Sequence, residues 1–272
     1  ILAGGDVTAQ IERIKAFNLS KQQELTVCLG AAGFAPDALL PHPVCAECGD
    51  TGLRGGAVCD CVRAIQRKLL YDRLGSAAPI ELCGFERFDL RYYSDQSSGT
   101  LGGFSARAIM ARTFAACQKY AQEFSLASQS LLLTGGPGLG KTHLSLSIGR
   151  AVIDQGFDAL YVPFTSLLTR LEAARFGKGS DEYLHYLSAP VGCELLVLDD
   201  LGSEFSTPFG SAVLYDLINT RLNRGLPTVI STNLNDDALR TRYSDRIASR
   251  LLGCYQALPF VGEDIRLLKM YK

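Results

Sequence analysis

A glycine-rich segment that ends in Lys and Thr has the clearest chemical potential in the chain. Residues 135–142 fit the pattern G-x-x-x-x-G-K-[ST] in full, between the apolar run SLLLT and the helical run HLSLSIGRAVI. Glycines let backbone N–H groups turn toward phosphates, the lysine reaches the β- and γ-phosphates, and the hydroxyl takes Mg²⁺. The following residues are therefore predicted to bind ATP: Gly135, Gly136, Pro137, Gly138, Leu139, Gly140, Lys141, Thr142 and His143.

Two later apolar runs also end in polar side chains. Leu195-Leu-Val-Leu is followed by Asp199 and Asp200, and the run Thr228-Val-Ile-Ser-Thr is followed by Asn233. We predict that Asp199 holds Mg²⁺ with Thr142, and that Asp200 orients or activates the attacking water. Asn233 is predicted to hydrogen-bond that water or the γ-phosphate. The alternatives are an Asp-containing turn after a strand and an Asn that begins a turn.

A helix predicted over Asp236–Leu252 carries three arginines, Arg242, Arg246 and Arg250, at i, i+4 spacing. This spacing predicts one basic stripe. A guanidinium group suits the spread charge of a phosphoryl-transfer transition state. The stripe is therefore either an arginine finger for a neighbouring subunit's nucleotide or a solvated helix face.

Four of the nine cysteines form two close pairs, Cys45-x₂-Cys48 and Cys59-x-Cys61. Tetrahedral zinc takes four such thiolates in structural sites. The pattern predicts a structural Zn²⁺ site, with a redox pair or chance as the alternatives and His42 as a substitute ligand. The scattered cysteines lie in apolar stretches, which suits a reducing compartment.

From Ala106 onward, apolar runs alternate with helical stretches, which predicts an α/β fold with a five-stranded parallel sheet covered on both faces. Strands are predicted at Ser130–Thr134, Ala159–Pro163, Leu195–Asp199, Thr228–Thr232 and Tyr255–Phe260. Helices are predicted at His143–Gln155, Thr165–Phe176, Gly210–Arg224 and Asp236–Leu252. The phosphate loop follows the first strand, the acids the third and Asn233 the fourth, an order typical of AAA+ and RecA ATPases. An N-K-x-D guanine motif and the Arg-rich lid of small-molecule kinases are both missing from the sequence.

The sequence divides into three predicted parts. Residues 1–80 form a small helical and zinc-binding domain, with helices over Thr8–Leu29 and Val62–Leu74 and a hinge at Gly75–Pro79. Residues 81–105 form a connector, and residues 106–272 form the ATPase domain.

The overall charge and hydropathy of the chain bear on whether it binds nucleic acid or a membrane. The chain has 27 Lys and Arg against 28 Asp and Glu, so any nucleic-acid contact must come from a local basic patch. No apolar run reaches the roughly 18 residues of a membrane span. A cytoplasmic protein without a membrane partner is expected.

Together these residues resemble the DnaC/DnaI-type bacterial helicase loaders of the AAA+ class and the IstB-like ATP-binding family. The resemblance runs from about Cys45 to Lys272. It rests on the segments CAECGDTG, CDC, FDLRYYSD, GGPGLGKTHLS, LLVLDDLGSEF, ISTNLNDDALRTRYSDRIASRLLG and GEDIR.

The resemblance implies an ATP-dependent loader of the replicative helicase, a DnaB-type hexamer, with a helicase-binding N-terminal domain. It implies a AAA+ domain that forms homo-oligomers around ATP and contacts single-stranded DNA during replication initiation. Arg250 matches the family's arginine finger, and Arg266 matches its sensor 2 residue. Arg170, Arg175 and Lys178 lie where the family carries a DNA-contacting helix.

Two rival functions remain open. The first is a transposition-helper ATPase, which looks similar in its AAA+ part. The second is a nucleotide-switched adaptor that hydrolyses ATP weakly, because Asp200 is one methylene shorter than the Glu usual in related ATPases.

Overall fold

The structure is a computed structural model that describes residues 7–35, 37–39, 43–75, 83–176 and 180–270. Contacts divide the chain into two compact units, Ile1–Cys61 and Val62–Lys272. The border predicted at residue 80 and the hinge residues 76–79 lie outside the described residues. The domain boundaries therefore remain a prediction.

The N-terminal unit contains a long helix and a small hairpin. Helix α1 spans Val7–Ala31. Strands β1 (Leu53–Arg54) and β2 (Ala57–Val58) pair in an antiparallel manner, and helix α2 (Asp60–Gly75) follows them. Both helices predicted in this region are confirmed. Among the described residues, no helix is long and apolar enough to cross a membrane.

The second unit is built on the predicted parallel sheet. Its strands are β3 (Leu131–Thr134), β4 (Ala159–Pro163), β5 (Leu195–Leu201), β6 (Thr228–Thr232) and β7 (Gln256–Pro259). The spatial order is β4-β5-β6-β3-β7, and every neighbouring pair is parallel. The carboxyl ends of all strands therefore meet at one edge, where open α/β sheets bind ligands.

Helices cover both faces of this sheet. They are α3 (Ala106–Gln122), α4 (Lys141–Asp154), α5 (Phe164–Phe176), α6 (Ser180–Gly192), α7 (Pro208–Arg224), α8 (Asp236–Arg242), α9 (Asp245–Cys254) and α10 (Ile265–Met270). Successive strand residues enter opposite apolar layers: Leu131 and Leu133 join one, and Leu132 joins the other. This alternation explains why the strands are apolar throughout. Helices α3, α6 and α10 were not predicted.

The single helix predicted over Asp236–Leu252 is wrong. Tyr243 and Ser244 have extended backbone angles, so the chain forms α8 and then α9. Ser244 stands at the position before the first residue of α9, and Asp245 lies in its first turn, where Ser and Asp are favoured. Tyr243 is buried, and its hydroxyl donates a hydrogen bond to the Glu204 carboxylate. This tertiary contact holds Tyr243 in the extended conformation that separates α8 from α9.

A buried arginine on α7 connects the carboxyl end of α6 to the first residue of β6. Arg221 of α7 has no exposed surface. Its Nη1 donates to the carbonyl oxygens of Pro190 and Cys193 at 2.9 Å each, and Nη2 donates to the carbonyl of Pro227 at 2.5 Å. Its Nε donates to Thr228 Oγ1 at 2.8 Å. The cation thus caps the carboxyl end of α6, where the helix dipole favours positive charge.

We expect Arg221→Met to destabilise the protein by about 3 kcal/mol or more, because each buried carbonyl left without a donor costs about 1–3 kcal/mol. Urea denaturation would measure the change. Arg224→Met, at an exposed position on the same helix, should stay within about 0.5 kcal/mol of the parent. Equal stability of the two variants would contradict the role assigned to Arg221.

Candidate functional site

The phosphate loop leaves β3 and enters α4, as the sequence predicts. Gly138 and Gly140 have left-handed backbone angles, with φ of 70° and 87°. A Cβ at Gly140 would lie 2.8 Å from the Phe88 ring, and one at Gly138 would collide with the Asp264 carboxylate. Because α4 begins at Lys141, the first N–H groups of that helix face the loop and form an anion-binding site.

Lys141 is turned inward at this loop and is only 7% exposed. Its Nζ donates to the carbonyl oxygens of Gly135 and Gly136 and to Asn233 Oδ1, each at 2.6 Å. Burial lowers the pKa of Lys141 to about 8, and the charge of Asp199 opposes this shift. The lysine therefore bridges the phosphate loop and the end of β6.

The Asp199 carboxylate lies at the centre of a set of hydroxyl groups and is only 4% exposed. Its Oδ2 accepts from Thr142 Oγ1 at 2.9 Å and from the Tyr161 hydroxyl at 2.7 Å. Its Oδ1 accepts from the Ser231 hydroxyl. Burial is the main cause that raises the pKa of Tyr161, so the phenol is a donor here. Thr142 and Asp199 supply the hard oxygen ligands that suit Mg²⁺.

Asp200 is held in an unusual backbone conformation beside this carboxylate. Its φ is 57°, a region that non-glycine residues seldom adopt. The β5–β6 register shifts between Leu198 and Leu201, so a bulge turns Asp200 toward the next strand. There its Oδ1 accepts from Asn233 Nδ2 at 3.0 Å. The Asn233 amide thus connects Lys141 to Asp200.

The predicted connector residues pack against the phosphate loop. Tyr93 is buried, and its hydroxyl donates to the Leu139 carbonyl at 2.8 Å. His143 Nε2 lies 2.9 Å from the Gly84 carbonyl oxygen. The Phe88 ring stacks on Tyr93 at 5.8 Å between centroids. The sequence pattern did not assign these aromatic residues to the site, although the cluster FERFDLRYY is a visible signal.

A cavity of about 580 Å³ lies between this aromatic segment and the phosphate loop. Lys141, Thr142, Asp199, Asp200 and Asn233 all line it. The structure therefore brings together the residues that the sequence predicted at the carboxyl ends of three different strands. Ser231 also borders it, a residue that the sequence pattern had not singled out.

Arg266 lines the same cavity. Its Nε lies 3.3 Å from Asp264 Oδ1. Lys269 on the same helix lies over the Tyr92 ring at 5.1 Å. Two cationic side chains, those of Arg266 and Lys269, therefore line the cavity that contains the predicted phosphate site.

Arg250 is not among the residues that line the described part of this cavity. Its Nε donates to Asn219 Oδ1 at 3.1 Å, and its guanidinium stacks 4.7 Å from the Tyr215 ring centroid. Arg242 belongs to α8 and pairs with Glu204 at 3.4 Å. The predicted stripe of Arg242, Arg246 and Arg250 is therefore wrong, because the helix break separates Arg242 from the other two.

The predicted DNA-contacting residues lie on or near α5. Arg170 is exposed and borders a smaller cavity of about 230 Å³, which Tyr186 also lines. The Arg175 guanidinium lies 5.1 Å from the Phe209 ring centroid. Lys178 is outside the described residues.

The four clustered cysteines converge in the N-terminal unit. The Sγ atoms of Cys45, Cys48, Cys59 and Cys61 lie within 4.8 Å of one another. The Cys45–Cys59 and Cys48–Cys61 Sγ separations are 3.8 Å and 3.5 Å. A zinc–thiolate tetrahedron with bonds of about 2.3 Å has sulfur–sulfur edges of about 3.8 Å, so the cluster fits zinc. His42 lies outside the described residues.

The Asp50 side chain fixes the turn that carries the first cysteine pair. Its two carboxylate oxygens accept from the backbone N–H groups of Val44 and Cys45 at 2.9 Å each. These hydrogen bonds lower the pKa of Asp50. Asp50 also has a φ of 62°, a conformation that Asp tolerates in tight turns.

The sheet order, the phosphate loop and the paired acids define a AAA+-type P-loop nucleotide-binding fold. A sequence model of the IstB-like ATP binding protein family matches residues 106–261, more than half of the chain. The chain belongs to this family.

Two curated relatives are similar to this chain in sequence, and a solved structure shares its fold. The Replicative helicase loader DnaC of Buchnera aphidicola subsp. Acyrthosiphon pisum is 26% identical over 155 residues, 56% of this chain and 62% of the relative. DnaC of Escherichia coli K12 is 22% identical over 191 residues, 70% of this chain and 71% of the relative. The DnaI crystal structure has a TM-score of 0.54 at 21% identity and covers 67% of this chain and 93% of its own. The match to the Buchnera protein thus spans less than two thirds of that relative.

We predict one zinc ion per chain in protein purified without added metal, since four thiolates bind zinc tightly at neutral pH. Cys59→Ser should reduce the zinc content to near zero, as measured by elemental analysis. Cys28→Ser, which changes an exposed cysteine of the same unit, is the matched control and should keep the metal. Metal-free parent protein with folded residues 45–61 would contradict this prediction.

Proposed function

We propose that this protein is an ATP-hydrolysing loader of a DnaB-type replicative DNA helicase. The observation that supports the ATPase part is the polar chain Lys141–Asn233–Asp200 beside the buried Asp199. Such a chain gives one site a phosphate-binding cation, a water-orienting carboxylate and a sensor amide. Membership of an ATP-binding family supports the same assignment.

In the proposed reaction the phosphate loop and α4 bind the triphosphate, and Lys141 moves from its loop carbonyls to the β- and γ-phosphates. Asp200 accepts a proton from the attacking water, and Asn233 fixes the position of that carboxylate. Thr142 and Asp199 would hold Mg²⁺, which neutralises phosphate charge when it is bound. The aromatic residues Phe88 and Tyr93 line one side of this cavity.

Arg250 is proposed to act on the nucleotide of a neighbouring subunit. In the described structure it stacks on Tyr215 of α7 and does not line its own cavity. A guanidinium supplied across an ATP-bridged interface would neutralise charge that develops in the transition state. The proposal therefore includes a homo-oligomer. Arg266 is proposed to contact the nucleotide of its own subunit as a sensor 2 residue.

The helicase and DNA contacts of the proposal rest on the relatives. The two curated relatives described above are named replicative helicase loaders, and a cysteine-cluster unit precedes the ATPase fold in this chain. We propose that this unit binds the helicase and that Arg170, Arg175 and Lys178 contact single-stranded DNA. Such binding should weaken with salt, because basic side chains displace counterions from DNA phosphates.

A pull-down from cell extract with ATP and Mg²⁺, followed by mass spectrometry, tests the loader assignment. Recovery of the replicative helicase supports a loader. Recovery of a transposase instead supports the second candidate, a transposition-helper ATPase with a similar AAA+ part. Lys141→Ala serves as the variant that lacks the proposed phosphate contact. A turnover assay with and without single-stranded DNA separates either ATPase from a weakly hydrolysing adaptor.

We expect Arg250→Ala to retain ATP binding while hydrolysis falls by about 10³-fold or more, as for other arginine fingers. Lys141→Ala should lose ATP binding, because the phosphates lose their fixed cation. Mixing the two inactive variants should restore part of the activity, since one mixed interface pairs an intact phosphate loop with an intact Arg250.

Arg246→Ala is the matched control, because Arg246 is an exposed arginine on the same helix. It should retain most of the hydrolysis. If mixed oligomers form without recovery of activity, Arg250 acts within its own subunit or only supports α9.

A further inference from the structure

We infer that Tyr161 is a positioning residue that determines which oxygen of Asp199 is presented to the magnesium ion. The inference rests on the proposed function, in which Asp199 holds Mg²⁺ beside ATP. Tyr161 lies on β4, outside the sequence motifs that define the nucleotide site.

The sheet register directs the Tyr161 hydroxyl to this carboxylate. Strands β4 and β5 pair with Tyr161 opposite Val197 and Pro163 opposite Asp199. Tyr161 and Asp199 thus occupy adjacent strands two positions apart, a diagonal separation that a long aromatic side chain can bridge. The hydroxyl oxygen lies 2.7 Å from Asp199 Oδ2, and Tyr161 is 5% exposed.

The two carboxylate oxygens of Asp199 accept different numbers of hydrogen bonds. A carboxylate has about four lone-pair positions. Tyr161 and Thr142 occupy Oδ2, whereas Ser231 occupies Oδ1. Among the residues that the structure describes, these bonds leave one acceptor position, and it lies on Oδ1. Without the Tyr161 hydroxyl, a second position would open on Oδ2.

The chemical type of this partner matters as much as its position. An arginine or lysine at this place would pair with the Asp199 charge and oppose a metal cation. A phenol donates a hydrogen bond and remains neutral, so the carboxylate keeps its negative charge for the metal. A rigid ring also loses little conformational entropy in holding the hydroxyl still.

The rotation of the carboxylate is the property that Tyr161 controls. Terminal carboxylate torsions are broad and two-fold, so an Asp without fixed partners samples several orientations. Donors from β4 and β6 hold Asp199 from both sides. Groups that orient metal-binding carboxylates in this way commonly affect metal affinity by about 10- to 100-fold when they are removed.

The test is Tyr161→Phe, with binding of a fluorescent ATP analogue followed in EDTA and then against Mg²⁺ concentration. Binding in EDTA should match the parent. The Mg²⁺ concentration needed for half of the metal-dependent gain should rise by about 10- to 100-fold. Tyr120→Phe is the matched control, because the buried Tyr120 hydroxyl has no hydrogen-bond partner among the described residues. It should leave the Mg²⁺ dependence unchanged.

Two further variants separate positioning from a structural role. In an Asp199→Asn background, Tyr161→Phe should have no additional effect on the Mg²⁺ dependence, because Tyr161 acts through Asp199. Tyr161→4-aminophenylalanine places an N–H donor where the hydroxyl was and should restore the parent value. If Tyr161→Phe folds poorly, the 4-aminophenylalanine variant still tests the inference.

The outcomes distinguish this inference from the proposed function. If the parent protein shows no Mg²⁺-dependent ATP binding, both are overturned. If the parent shows it and Tyr161→Phe behaves identically, only the inference fails. The inference also fails if Tyr161→Phe changes the Mg²⁺ dependence as much in the Asp199→Asn background as in the parent protein.

Discussion

Asp199 places a carboxylate where water scarcely reaches it, and burial of such a group is costly unless hydrogen bonds compensate for lost hydration. Hydroxyl groups from the start of α4, from β4 and from β6 supply that compensation. A one-residue slip of either neighbouring strand would turn its hydroxyl to the opposite face of the sheet. The strand register, the phosphate loop and the proposed metal site therefore all depend on the need to supply hydrogen bonds to the buried Asp199 carboxylate.

The segment before α3, within the second unit, holds the phosphate loop in place. Tyr93 and Gly84 make hydrogen bonds to Leu139 and His143 on either side of Lys141. A shift of the phosphate loop must therefore be accommodated by the residues of this segment. Nucleotide binding, as proposed, would therefore depend on the position of this segment.

Much of this architecture was predictable from the sequence, because buried parallel strands appear as short apolar runs and their polar ends must meet at one edge. The break at Tyr243 was not, since it depends on the distant Glu204. Tyr161 and Ser231 were also missed. A tyrosine or serine within an apolar strand has the same local pattern whether it fills the core or orients a carboxylate. Helix α6 was missed for a different reason, because its Pro190 is atypical of a helix interior.

The left-handed backbone at Asp200 restricts which residues can replace it. Most side chains are strained at a positive φ, whereas Asp, Asn and Gly are tolerated there. A change to Glu would lengthen the proposed base at the expense of backbone strain. Asn would keep the backbone and the shape of the side chain but remove the charge. Under the proposed function, the replacement that fits this backbone and keeps the side-chain shape is thus the one that would leave a protein able to hold ATP without hydrolysing it, and the bulge in β5 disfavours most other side chains.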